Sequence, residues 1–275
     1  ALYHAASATL NELSKDAKYL GADIGYICIL HTWGSAMNYH PHIHTIVLGG
    51  GLDDENKWKE TGGKFFLPYG VISKVFRGKY LDELKSLWND SKLKFHGTAE
   101  KYQNSYRFKE LLDKCYEKNW VTYCKETFNG AQSVINYLGK YTHRIAISNH
   151  RIKSMTDTTV TYVVKDYKNE GCWKEKTISG EEFIRRFMMH VPPKRFVRIR
   201  HYGLLSCRNK RKKITHCRNL LGCKKYISTL KNLNAVEMIR VLYHIDVCKC
   251  SSCGGNMVSP RKDKYSSSFR AHMRC

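Results

Sequence analysis

Apolar positions recur at helical spacing from residue 3 to 20 and stop at Gly21, which predicts an opening amphipathic helix. The run Gly25-Tyr-Ile-Cys-Ile-Leu30 is β-prone and predicts a strand over Ile24–Thr32. A second extended run covers about His42 to Leu48, and the intervening residues 33–41 are short enough for antiparallel pairing. Residues 49–63 are polar and glycine-rich, as in a loop or hairpin. Amphipathic helices are predicted at about 71–89 and 104–118, with a short strand at Trp120–Cys124. A further helix follows over Ala131–Arg144, where Val134, Leu138, Tyr141 and Ile145 share a face. Thr158–Tyr167 and Cys172–Ile178 alternate as a hairpin around Lys168-Asn169-Glu170-Gly171. Ser179-Gly-Glu-Glu182 has the form of a capping box for a helix that stops before Pro192-Pro193.

The chain of 275 residues is long enough for one large domain or a domain with an appendage. It holds no apolar run long enough to span a membrane. Its start reads as a helix already under way and not as a signal peptide, so the chain is expected to begin inside a longer protein. Formal net charge is +23, which points to a polyanionic partner. The distribution of that charge identifies the partner class. From Phe183 to Val236 there is no Asp or Glu, where the chain average would place about five. The same stretch carries Lys194, Arg195, Arg198, Arg200, Arg208, Lys210, Arg211, Lys212 and Lys213, a set suited to a phosphate backbone. Phe196 and Tyr202 are candidates either for base stacking or for the core. Breaks in composition near residues 194 and 246 divide the chain into a core (1–193), a basic region (194–245) and a cysteine-rich tail (246–275).

Eleven cysteines, an odd number with several scattered in core-like segments, fit a reducing cytoplasmic setting. Seven follow residue 206, and Cys250-x2-Cys253-Gly-Gly has the form of a knuckle turn. With His272 and Cys275 it reads as C-x2-C-x18-H-x2-C, the donor set of a structural Zn2+ site. Free thiols are the alternative.

Two constellations carry chemistry. In the strand His40-Pro41-His42-Ile43-His44, His42 and His44 fall on one face because alternate side chains do so, making half of a metal site. The third ligand is open between His40, which is favoured, and Gln132 on the predicted helix. Mg2+ or Mn2+ is expected, since coordination positions must remain for phosphate oxygens and water. On the helix, Tyr137 and Tyr141 stand one turn apart with Lys140 and Arg144 nearby. Such pairs are commonly packing. Beside a metal strand and a basic surface, however, a tyrosine hydroxyl is a candidate to attack a phosphodiester and conserve its energy as a phosphotyrosine bond. Lys140 and His143 are near enough in sequence to manage the proton.

HPHIHTIVLGGGL, then YLGKYTHRIAISNHR, then EEFIRRFMMHVPPKRFVRIRHYGLL, in that order, resemble the two-tyrosine HUH transposases, the rolling-circle insertion-sequence family typified by IS ninety-one. The likeness runs from about residue 1 to the Cys-x2-Cys tail. It implies an α+β fold: an HUH-endonuclease-like antiparallel sheet flanked by helices, with a basic helical C-terminal region and a small cysteine-rich tail. It also implies that His42 and His44 are the metal pair and that Tyr137 and Tyr141 are nucleophiles giving a 5′-phosphotyrosine on single-stranded DNA. A bacterial, nucleoid-associated protein is expected. The family's N-terminal cysteine-rich zinc region and early strand have no counterpart here, so the core is expected to be N-terminally truncated. No GxxxxGK[ST] is present, so unwinding is expected to come from a host helicase. Relaxases and replication initiators share this chemistry. A non-catalytic DNA-binding remnant and a metallohydrolase are the other classes, and the second leaves both tyrosines idle.

Overall fold

The computed structural model describes residues 1–62, 67–124, 131–142, 145–166, 169–223, 230 and 232–257, with the backbone only at 131, 132 and 140. The chain divides into two compact units, Ala1–Leu220 and Leu221–Cys275. In the first, the strands are β1 (Asp23–Trp33), β2 (Tyr39–Leu52), β3 (Trp58–Glu60), β4 (Ile152–Met155), β5 (Thr159–Asp166), β6 (Cys172–Ser179) and β7 (Ile199–Gly203). Its helices are α1 (Leu2–Lys15), α2 (Tyr69–Asn89), α3 (Ser105–Glu117), α4 (Ala131–Thr142), α5 (Gly180–Met188) and α6 (Lys210–Leu220).

The strands form two antiparallel sheets, ordered β3-β2-β1-β7 and β4-β5-β6. Alternation along β1 decides what each face of the larger sheet does. Ile24, Tyr26 and Cys28 point to one side and are buried with Tyr3, Leu10 and Leu13 of α1, against which Val71, Ile72 and Val75 of α2 also pack. Ile27, Ile29 and His31 point to the other. The smaller sheet has its own core of Tyr162 and Val164, closed by Phe183 and Phe187 of α5 and by Met37 from the β1–β2 connection. Ser179 caps α5 by accepting a hydrogen bond from the Glu182 amide at 3.2 Å.

Three segments depart from the pattern-based expectation. The first helix ends at Lys15, because Asp16 turns extended and its side chain accepts from the Lys18 amide at 2.8 Å. Trp120–Cys124 is not a strand but irregular chain tied to α2: the Ser73 hydroxyl donates to the Trp120 carbonyl, and the Thr122 hydroxyl donates to the Tyr69 carbonyl at 2.9 Å. The basic stretch is not helical throughout; Ile199–Gly203 completes the larger sheet at the edge of β1. Entry into the following turn requires Gly203, whose φ is +57°.

The second unit contains α7 (Ala235–Tyr243), begun by a reciprocal capping box between Asn234 and Glu237. After it, the Cys250–Cys253 turn closes with hydrogen bonds from the Gly254 amide to the Cys250 carbonyl and from the Cys250 amide to the Gly255 carbonyl, both 2.9 Å. Among the described residues, no helix is long and apolar enough to cross a membrane.

Candidate active site

The site face of the larger sheet is built by register. β1 and β2 pair so that His31 lies opposite His42 and Ile29 opposite His44. Side chains opposite one another point to the same face, so β1 contributes a third histidine beside the pair on β2. The ligand nitrogens of His31, His42 and His44 all lie within 4.8 Å of one another.

His40, the favoured third ligand on sequence grounds, is not in this group. Between the His31–His42 and Trp33–Tyr39 pairs, β1 has one residue and β2 has two, Pro41 and His40. That extra residue is a β-bulge, and it breaks the simple alternation that would set His40 with His42 and His44. The His40 side chain is exposed, with its ring 5.2 Å from that of His42, and its carbonyl accepts from Nδ1 of His42 at 2.8 Å. Gln132, the other candidate, lies on α4, but its side chain is outside the described residues. His31 escaped the sequence reading because a lone histidine in an apolar strand reads as core; its signal was parity with Ile27 and Ile29.

Hydrogen bonds to carbonyls fix which nitrogen of His31 and of His42 is available. Nε2 of His31 donates to the Tyr141 carbonyl at 2.7 Å, so the lone pair of the neutral ring sits on Nδ1. Nδ1 of His42 donates to His40, so its lone pair sits on Nε2, 3.1 Å from Nε2 of His44. Two imidazole nitrogens aimed at one another at this distance need a proton or a cation between them. Burial pushes His31 down to about 4 and lowers His42 as well. Both rings are therefore neutral at physiological pH, the state a metal ligand requires. Three imidazoles with ring nitrogens this close together could hold a divalent cation.

α4 crosses this face with its tyrosines toward the histidines. The Tyr137 hydroxyl is 3.1 Å from Nδ1 of His44. The Tyr141 ring lies 4.2 Å from the His44 ring and 4.4 Å from that of Tyr137, centroid to centroid. Burial, reinforced by neighbouring Tyr141, pushes the Tyr137 phenol up to about 12. His31 in turn stacks on Trp33 at 4.3 Å.

The other residues singled out in the sequence are more dispersed. Lys194, Arg195, Arg200, Arg208, Lys210, Arg211 and Lys212 are exposed, and Lys213 is half-buried. Arg211 and Lys212 line a shallow surface depression on α6 with Thr215, His216 and Asn219. Arg200 turns to the α1 face, its guanidinium 4.1 Å over the Tyr3 ring. Tyr202 stacks on Tyr26 at 5.2 Å and is a packing residue, whereas Phe196 is exposed. Arg198 is half-buried, and its guanidinium donates to the Thr142 carbonyl at the end of α4. The Lys140 side chain lies outside the described residues, as do His143 and Arg144. Of the tail, Cys250 is held below the usual thiol range by the backbone amides of Cys253 and Ser252. His272 and Cys275 lie outside the described residues.

Comparison with known proteins places this geometry in context. The family Y2_Tnp, described as "Putative transposase", matches residues 25–213, a span that includes the histidine strands, the tyrosine helix and β7. The chain is 40% identical over 222 residues to "Putative transposase y4qJ" of Sinorhizobium fredii, covering 80% of this chain and 56% of that protein. It is 27% identical over 245 residues to "Transposase for insertion sequence element IS801" of Pseudomonas savastanoi pv. phaseolicola, covering 88% and 58%. The chain thus spans little more than half the length of these curated relatives. No solved structure matches it.

Proposed function

The chain belongs to the Y2_Tnp transposase family, the IS ninety-one type, and we propose that it cleaves and rejoins single-stranded DNA through a tyrosine–phosphate ester during rolling-circle transposition. One observation carries this reading: the Tyr137 hydroxyl is hydrogen-bonded to His44, itself one of three clustered histidines. A structural tyrosine pair has no need of that connection.

His31 through Nδ1, and His42 and His44 through Nε2, would hold a divalent cation. Of the expected Mg2+ and Mn2+, the less hard Mn2+ suits an all-imidazole set better, with DNA oxygens and water supplying the oxygen ligands either ion prefers. When bound, the ion supplies positive charge beside the non-bridging oxygens of the scissile phosphate. The remaining work falls to the chain. With its Nε2 turned to the cation, His44 would carry its ring proton on Nδ1 and donate it to the Tyr137 oxygen. That bond aims the oxygen and stabilises its phenoxide against the burial that raises its pKa. The phenolic proton passes to solvent, the tyrosine oxygen bonds to phosphorus, and the bond from phosphorus to the 3′ oxygen breaks. The products are a 5′-phosphotyrosine and a 3′-hydroxyl that takes up a proton. Because Tyr141 is one turn away, the helix offers a second nucleophile to the same place, and two strands can be handled in succession.

The exposed cations of residues 194–213 would hold the DNA backbone. Unwinding would fall to a host helicase, and the Cys250–Cys253 turn would be half of a zinc knuckle in the tail. The direct test is incubation with single-stranded DNA from element ends and Mn2+, followed by denaturing electrophoresis. A covalent adduct is expected from the unaltered chain, a reduced one from Tyr137→Phe or Tyr141→Phe, and none from the double variant. Since phenylalanine keeps the ring and its packing, an adduct in the double variant would place the nucleophile elsewhere.

A further inference from the structure

We infer that Arg198 is a positioning residue for the tyrosine helix and does not bind the DNA backbone. The inference rests on the reading of Tyr137 and Tyr141 as nucleophiles. The last carbonyls of any helix have no intrahelical donor. In α4 two of them, those of Tyr141 and Thr142, are met from the sheet below. Nε2 of His31 on β1 donates to the first at 2.7 Å, and the guanidinium of Arg198, immediately before β7, donates to the second. A cation at this end also opposes the negative pole of the helix.

Arg198 is itself rigidly set. Its carbonyl accepts from the Leu30 amide of β1 at 3.1 Å and from the Tyr3 hydroxyl. Its guanidinium stands 5.8 Å over the ring of Trp33, and Trp33 stacks on the candidate ligand His31. By contrast, Lys194, Arg195, Arg200, Arg208, Lys210, Arg211 and Lys212 are exposed. Charge alone groups Arg198 with them; its half-burial and its hydrogen bond to the end of α4 separate it. The anchored end of α4 is the Tyr141 end, while Tyr137 lies a turn away and is held by His44. Loosening the anchor should therefore misplace Tyr141 more than Tyr137.

The test compares Arg198→Gln and Arg198→Lys in two backgrounds, Tyr137→Phe, where only Tyr141 is left to attack, and Tyr141→Phe, where only Tyr137 is. Single-turnover adduct formation is measured at saturating single-stranded DNA with Mn2+, and DNA affinity is titrated against salt. Arg198→Gln should slow the Tyr141 reaction about ten- to a hundredfold, the scale of an ångström-sized misplacement, and slow the Tyr137 reaction less. Arg198→Lys, which keeps a donor, should recover part of the loss. Affinity and salt slope should stay at parental values, and hydrogen exchange across 131–142 should speed up in metal-free protein. The inference is overturned by unchanged rates. It is equally overturned by a salt slope that drops by about 0.7, the signature of one phosphate of a single strand no longer neutralised, or by equal losses in both backgrounds without lysine rescue. Should Arg198→Gln fail to fold, Arg198→Lys carries the same comparison. An unaltered chain that forms no adduct would instead count against the nucleophile reading.

Discussion

The burial of His31 among the clustered histidines has a consequence measurable without any DNA. The residue is 4% exposed, and burial lowers its pKa from the ordinary 6.5 to about 4 in the folded protein. Between those values the unfolded chain binds a proton that the folded chain refuses, so stability rises with pH through this window and falls on acidification. At 1.36 kcal/mol per pH unit, the interval is worth about 3 kcal/mol, lost as pH drops from 7 to below 4. His42, also lowered by burial, adds in the same direction. The perturbation is His31→Gln, which removes the titration while offering an N–H to the Tyr141 carbonyl. Urea unfolding of metal-free protein at a series of pH values from 7 to 4 should give the unaltered chain a decline steeper than the variant's by about 2–3 kcal/mol in total. The same variant should lose most of the stabilisation by Mn2+, which for an intact site reaches about 2.7 kcal/mol at a hundredfold excess over Kd. Parallel pH profiles would refute the buried, neutral state of His31. Equal Mn2+ stabilisation would remove it from the ligand set.

Replacing both His42 and His44 by alanine should abolish adduct formation and calorimetric Mn2+ binding while leaving single-stranded DNA affinity within a few-fold of the parent. Neutralising Arg208, Lys210, Arg211 and Lys212 together should weaken binding regardless of sequence and flatten the logarithmic salt dependence by about 0.7 for each phosphate no longer neutralised; an unchanged titration would mean that this surface faces away from DNA. Gly203→Ala should destabilise the first unit by about 2–4 kcal/mol in denaturant unfolding, because its Cβ would stand 1.8 Å from the Ile24 carbonyl oxygen at a φ of +57°.

How far these features were legible depends on their range along the chain. Strand β1, strand β2 and helix α4 follow from local periodicity, and so do the shared face of His42 and His44 and the one-turn spacing of Tyr137 and Tyr141. Each needs only the geometry of one element. Knowing that the two strands pair did not identify His31, because a one-residue change in register would have sent it to the other face. The bulge at Pro41 and His40 is such a change, and the candidate that simple alternation favoured, His40, lies outside the cluster of His31, His42 and His44. Arg198 shows the same limit for charge. Its sequence neighbourhood is uniformly basic, but the pairing of β7 with β1 brings it beneath a helix end more than fifty residues earlier in the chain, at Thr142. The sequence by itself thus determined which residue types stand on which element and at what spacing. Register and the docking of α4 decided which of them meet, because hydrogen-bond partners across strands and at helix ends are chosen by the whole fold and carry no local periodicity.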